Sequence, residues 1–442
     1  MQSLLYDGTI MRTNIVHPGA NELTYDIRGI VDVAKEIEKR GQKIIWENIG
    51  DPVSKGEEVP EWIKEIVKKK VSENANFGYG PSKGLLKTRE FLAEERVRET
   101  GVHISPEDIV FFNGLGDAIS KVYNYLNRTA RVIGPSPAYS THSSAEAAHA
   151  GAPHITYELN PKRNWLPDLH DLRNKIHYNP QIAGILIINP DNPTGMVYPK
   201  KILEEIVSIA QEYDLFIVSD EIYAHIVYGG AEMIPLAEVL DGVPGIAMRG
   251  ISKEMPWPGS RCGWIEVYNR TRDPGFSRYI QTIIDAKMLE VCSTTLPQAV
   301  IPEVLSDSRY VTHLKERTDV YEKRAQKAYG ILRKVSGVTA PKAHGAFYMT
   351  LVFDEGTLPE EGKLQIENKD VKSFVEEKIQ NVPPDKRFAY YLMGATGICV
   401  VPLSSFNSKL LGFRITLLEP DENKFNSIFK TIAEKIKEYR KL

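Results

Sequence analysis

The sequence predicts an α/β protein: a large unit built on a mostly parallel seven-stranded sheet covered by helices, with a smaller α+β unit beside it. Three observations predict it. From about Gly78 onward, apolar runs of strand length alternate with longer stretches of helical period, the pattern of a parallel sheet with helices on both faces. After Leu305 that alternation gives way to one long charged helix and a mixture of strands and helices. The chain has 442 residues, more than one ordinary domain of about 150. The expected division is an amino-terminal segment (1–60) packing with the small domain, a large domain (61–308) and a small carboxyl-terminal domain (309–442).

The seven strands are expected at 109–112, 131–134, 154–158, 182–188, 215–219, 246–250 and 262–267, with helices at 82–100, 117–126, 168–177, 199–213 and 276–292. The run "IAGILII" at 182–188 is continuously apolar, as suits a strand buried on both faces. Beyond 305 follow a helix at 310–335, the strand-like "AFYMTLVF", a Pro/Gly/Glu-rich stretch at 354–369, a helix, the strands "GICVVP" and "GFRITLL", and an amphipathic helix at 421–439. The charge runs "VKKK" and "EKIKEYRKL" read as solvated helix faces.

Composition narrows the function. With 42 % hydrophobic and 26 % charged residues and a net charge of -3, the chain offers no field for nucleic acid or anionic lipid. Its partners are expected to be small molecules or a second copy of itself. No apolar run approaches the roughly 20 residues that span a bilayer, and the first residues lack the features of a signal peptide, so a cytoplasmic location is expected. Three cysteines and ten histidines form no disulfide framework and no metal-ligand spacing.

In an open parallel sheet, ligands sit beyond the carboxyl ends of the strands. There the sequence places "NPDNPTG" after 188, "DEIY" after 219 and "SK" after 250. One sheet edge therefore gathers Asn192, Asp220, Tyr223 and Lys253. Taken singly, each has an ordinary explanation: a helix cap, a core tyrosine, good turn chemistry or a solvated loop cation. An amide, a carboxylate, a phenol and an amine converging on one edge are hard to explain as packing. "FFNGLGDAISK" adds a strand, a glycine turn and a helix start, where the N–H groups of Leu115 and Gly116 suit an anion. Arg261 adds a guanidinium suited to phosphate, and Tyr139 in "GPSPAYS" offers a flat face for stacking.

Together these describe a pocket for pyridoxal 5'-phosphate. Lys253 would bind the aldehyde and later carry the proton between substrate Cα and cofactor. Asp220 would pair with the protonated ring nitrogen, while Asn192 and Tyr223 would donate to the ring phenolate.

At this point the chain resembles the class I aminotransferases of the aspartate aminotransferase fold type, over nearly its whole length from Glu22. "NPDNPTG", "SDEIY" and "SKEMPWPGSRCGW" match that family's most recognisable stretches in order and spacing. The resemblance implies fold type I, pyridoxal phosphate as cofactor, amino and 2-oxo acids as substrates, and Lys253 as the Schiff-base lysine. It further implies that Tyr79 in "FGYGPSKG" reaches the phosphate of a neighbouring subunit in a homodimer. Arg414 in "GFRITLL" would clamp the substrate carboxylate, with Gly50 in "ENIGDP" lining it and Ser252 offering a hydroxyl to the phosphate. "YDIRG" and "GISK" are similar to the alanine, or glutamate–pyruvate, subgroup. Tyr25 and Arg28 are carried over as substrate contacts, with Arg28 reading the distal carboxylate of glutamate; a helix start that docks the amino-terminal segment is the alternative.

The expected reaction moves an amino group between alanine or another small amino acid and a 2-oxo acid such as 2-oxoglutarate. Other chemistries of the same fold, a β-lyase, a cyclopropane-forming synthase or a decarboxylase, remain open, and a non-catalytic regulator is a distant alternative. Three departures stand out: Gly250 where many relatives carry a phosphate-binding serine, Leu403 where the family usually has glycine, and a small domain lengthened at 354–369 and 380–397.

Overall fold

The computed structural model describes residues 15–23 and 26–441, without the side chains of residues 26–28. Among them the strands are β1 (Ile45–Trp46), β2 (Ile109–Phe112), β3 (Arg131–Ser136), β4 (Thr156–Asn160), β5 (Leu166–Pro167), β6 (Ile182–Ile188), β7 (Phe216–Asp220), β8 (Gly245–Gly250), β9 (Gly263–Tyr268), β10 (Val338–Thr339), β11 (Tyr348–Phe353), β12 (Ile398–Cys399), β13 (Val401–Pro402) and β14 (Gly412–Thr416).

The large sheet runs β2-β9-β8-β7-β6-β3-β4-β5. Its middle, β8, β7, β6, β3 and β4, is parallel, β9 is antiparallel to both β8 and β2, and β5 is antiparallel to β4. All seven expected strands form within two residues of their expected bounds. The correction is an eighth, β5, which closes a hairpin on β4 with only two residues; so short a strand leaves no apolar run to find.

Alternation along the strands divides the core. Leu186 and Ile188 of β6 pack against Ile119, Val122, Ile280 and Ile283 from helices Leu115–Asn124 and Pro274–Met288. Ile185 and Ile187 point the other way, to Leu172, Leu203 and Ile206 from helices Leu169–Tyr178 and Lys200–Glu212. This is the period-two geometry of a strand covered on both faces.

A second, four-stranded antiparallel sheet runs β10-β11-β14-β13, and β1 pairs in parallel with β12. Around it lies a separate core. Ile30, Ala34 and Ile37 of helix Asp26–Lys39 enter that core, as do Phe425, Ile428 and Ile432 of the last helix, Glu422–Tyr439. The two lengthened stretches are structural parts of it: Leu358, Leu364 and Ile366 are buried there, and 380–397 forms helix Pro384–Thr396, which buries Phe388 through Met393. Helix Arg309–Leu332 runs from one core to the other, with Tyr310 in the large-sheet half and Ala325, Ala328 and Leu332 in the second core. No helix of the described residues is long and apolar enough to cross a membrane.

Candidate active site

Asp220 is the last residue of β7 and pairs in register with Ile188 on β6 and Met248 on β8. The three carboxyl ends therefore lie side by side, and the turns leaving them share one space. That space is a cavity of about 370 Å³. Lys253, Asp220, Tyr223, Asn192, Leu115, Gly116, Tyr139, Ser252, Arg261, Gly50 and Arg414 all border it. A larger cavity of about 660 Å³ opens at the opposite, amino-terminal ends of the strands, between Ala183, Phe216 and Pro244, and holds none of these residues.

Lys253 lies three residues past the end of β8, and its Nζ donates to the Gly50 carbonyl at 2.8 Å. Burial pushes its ammonium pKa down to about 8; Arg414 and Arg261 lower it further, while Asp51 and Asp220 oppose the shift. Such a lysine supplies a neutral, nucleophilic amine far more readily than an exposed one.

Asp220 is buried. Its Oδ1 accepts from the Ile222 N–H at 3.1 Å, and its Oδ2 lies 3.1 Å from His142 Nε2. The Tyr223 hydroxyl meets that of Tyr348 at 3.0 Å, and burial raises its pKa well above the ordinary phenol value. It is thus a donor rather than a phenolate.

At the other end of the cavity, Arg414 is 3 % exposed. It donates to Asn192 Oδ1 at 3.0 Å and to the Asn48 carbonyl at 2.5 Å, with its guanidinium 4.4 Å over the Tyr348 ring and 5.1 Å from that of Phe406. Its Nε and the Asn48 Oδ1 are buried without a hydrogen-bond partner. Such orphaned polar atoms are costly unless a ligand completes them.

A corner suited to an anion follows from main-chain geometry. Gly114 stands at φ +81°, where a side chain is strained and a Cβ would come within 2.5 Å of the Arg261 guanidinium. Only glycine lets the turn enter helix Leu115–Asn124 this close to Arg261. The first N–H groups of a helix have no partner within it, so Leu115 and Gly116 present theirs where the cavity meets Arg261. Arg261 itself is held at φ +50°, a conformation seldom adopted without glycine. A reactive amine, a buried carboxylate, a helix start with a guanidinium and an arginine with an open N–H fit a phosphorylated aromatic aldehyde together with an α-amino acid.

Tyr79 lies outside the cavity and is 88 % exposed. Tyr25 and the Arg28 side chain lie outside the described residues. Gly250 does not border the cavity; a Cβ there would come within 3.0 Å of the Cys262 carbonyl and 3.1 Å of Gly263 Cα, between paired strands. Leu403 does not border it either. It is fully buried with Val401, Phe406 and Val352 in the core under the large sheet, pinning the β13 end to that sheet.

Sequence reasoning missed His142, Tyr123, Tyr348 and Asn48. His142 sits on helix Ser140–Ala150, whose "STHSSAEAAHA" has almost no apolar stripe, so neither helix nor histidine was expected. The usable signal was its place three residues after Tyr139, one helical turn on the same face.

A family model for aminotransferases of class I and II matches residues 43–425. The chain is 56 % identical over 431 residues to an uncharacterized aminotransferase of Methanocaldococcus jannaschii, covering 98 % of this chain and all of that one. It is 32 % identical to the glutamate–pyruvate aminotransferase AlaA of Escherichia coli, over 74 % of this chain and 79 % of that one. A solved structure of an alanine aminotransferase from Pyrococcus furiosus superposes with a TM-score of 0.83 at 29 % identity, covering 97 % of this chain and all of that one. The chain therefore belongs to the class I and II aminotransferases, enzymes of fold type I that act on amino and oxo acids with pyridoxal phosphate.

Proposed function

We propose that this aminotransferase moves an amino group between L-alanine, or another small neutral amino acid, and a 2-oxo acid such as 2-oxoglutarate, in two half-reactions that share one cavity. The observation that carries the reading is the convergence of the Lys253 amine, the Asp220 carboxylate and the Arg414 guanidinium on a single cavity of about 370 Å³. Lys253 would hold the cofactor aldehyde and, once displaced by the substrate amine, take the proton from substrate Cα and return it. A pKa near 8 suits a base working close to neutral pH. Asp220, backed by His142, would keep the ring nitrogen protonated; the bound cofactor then supplies the electron sink for the Cα–H bond pair.

Asn192 and Tyr223 would donate to the ring phenolate, and Tyr139 would cover a ring face. Leu115, Gly116, Ser252 and Arg261 would hold the phosphate. Arg414 would clamp the α-carboxylate beside Asn192 and Gly50.

The substrate class rests on the named relatives, a glutamate–pyruvate and an alanine aminotransferase, and on the aliphatic Val31 and Ile49 bordering the cavity. Tyr25 and Arg28 are assigned as further substrate contacts, with Arg28 serving the distal carboxylate of glutamate. The active unit is a homodimer, in which Tyr79 of each subunit reaches its neighbour's phosphate; its exposure supports this. The division into 1–60, 61–308 and 309–442 belongs to the same reading. Spectra of the holoenzyme with a panel of amino acids test it. L-alanine and L-glutamate should each convert the bound aldehyde to the amine form, and adding pyruvate or 2-oxoglutarate should reverse the change. Steady release of ammonia or a thiol without any oxo acid would contradict the reading.

A further inference from the structure

One stripe of helix Arg309–Leu332 is polar where it passes the Lys253 turn. Tyr310, His313, Arg317 and Tyr321 are all buried and fall on one helical face. Tyr310 donates to Glu254 Oε2 at 3.1 Å, and His313 Nε2 lies 3.2 Å from the Glu254 carbonyl. Arg317 is bound most completely. Its Nη1 donates to the main-chain carbonyls of both Lys253 (2.8 Å) and Glu254 (2.9 Å), its Nη2 to the Tyr321 hydroxyl (3.1 Å), and its Nε to Glu57. The other oxygen of Glu57 accepts from Tyr321 at 2.6 Å.

Glu57 lies seven residues beyond Gly50, whose carbonyl accepts from Lys253 Nζ. The loop that follows β1 therefore holds Lys253 at both ends: at the amine through Gly50, and at the main chain through Glu57 and Arg317. The same helix buries Ala325, Ala328 and Leu332 in the second core, so the Lys253 turn is tied to that half of the molecule as well.

We propose that Arg317 is a positioning residue for Lys253: its planar guanidinium fixes the Lys253–Glu254 turn against Glu57 and so sets where the amine lies in the cavity, although Arg317 itself does not border that cavity. A lysine side chain swings on four carbons, and its amine is placed only if its main chain is. The inference rests on Lys253 being the reactive amine. A lysine at 317 keeps the charge but cannot direct donors to two carbonyls, a phenol and a carboxylate at once.

The test compares Arg317→Lys and Glu57→Gln with the parent. In the holoenzymes, borohydride reduction and peptide mapping should still find the cofactor on Lys253. The rate of each half-reaction should fall about tenfold or more, as expected for a displaced catalytic group, while KM for the amino donor stays within about twofold. In the cofactor-free proteins, acetylation of Lys253 followed by mass spectrometry should show its pH midpoint rising from near 8 towards that of an ordinary lysine, as water enters the loosened turn. A lower thermal midpoint with the parent's rates and labelling midpoint would overturn the proposal and leave Arg317 a purely structural residue. Should Arg317→Lys not fold, Glu57→Gln carries the same comparison, since it keeps both carbonyl bonds but removes the negative charge and one of the two acceptor oxygens that hold Arg317 and Tyr321. A Lys253→Ala protein that still holds the cofactor covalently on another lysine would remove the reading of Lys253 itself, whatever the Arg317 variants do.

Discussion

His142 Nε2 lies 3.1 Å from Asp220 Oδ2, and both side chains are buried. The carboxylate can only accept, so Nε2 carries a proton towards it, and Nδ1 lies 3.2 Å from the Tyr123 hydroxyl. A three-member chain thus holds Asp220 in place behind the cavity.

Replacing His142 with phenylalanine removes one hydrogen bond to a charged group, which is worth about 1.5–3 kcal/mol. The expected outcome is a kcat about 10- to 100-fold lower with KM little changed, because the charge at 220 persists while its orientation is lost. Steady-state kinetics with alanine and 2-oxoglutarate check it; a rise in KM at constant kcat would place His142 at the substrate instead.

Arg414→Lys should act at the other end. Lysine cannot serve the Asn192 oxygen, the Asn48 carbonyl and a substrate carboxylate in one plane. KM for amino donor and oxo acid should rise about 10- to 100-fold, and both substrates should suffer alike because each carries the same α-carboxylate. Dissociation constants from spectral titration would show it.

Lys253 links the site to stability. Its folded-state pKa, about 8, is depressed from 10.5, so folding favours the neutral amine. The lysine's contribution is fully present above 10.5 and is lost as pH falls through 8. In the cofactor-free protein, Lys253→Met should therefore be more stable than the parent near neutral pH by about 1–3 kcal/mol, an advantage that disappears above the ordinary lysine pKa. Urea unfolding at the two pH values measures the difference; an advantage that grows with pH would contradict the sign.

Gly250→Ser restores the residue that the family resemblance leads one to expect. Between β8 and β9 its Cβ would meet the Cys262 carbonyl at 3.0 Å, so the change should cost about 1–3 kcal/mol of stability and leave the cofactor's dissociation rate as it was. Slower cofactor release would show that the hydroxyl finds the phosphate after all.

The large sheet was legible because a parallel strand buried on both faces is continuously apolar, as β6 is, and because the residues after β6, β7 and β8 are chemically unusual for turns. Eleven of the residues singled out there and elsewhere along the chain border one cavity. What was not legible depends on contacts between distant segments. Helix Ser140–Ala150 buries Ser140, His142, Ser143 and Glu146; the partners of Ser140, His142 and Glu146 come from other elements, so its sequence has almost no apolar stripe and hid His142. Tyr348 looked like one more aromatic in a strand; its role by the cavity follows from the Thr350–Arg414 register of β11 and β14, which no local pattern encodes. Helix Pro384–Thr396 is buried nearly all round, which blurs the period that would have revealed it.

The central claim is that the cofactor aldehyde is held by the amine of Lys253 opposite Asp220. Borohydride reduction of the holoenzyme, followed by proteolysis and mass spectrometry, tests it most directly. A reduced pyridoxyl phosphate group on the peptide containing Lys253, and on no other, is the predicted result. The same group on a different lysine, or none on a holoenzyme that still converts alanine, would contradict the account.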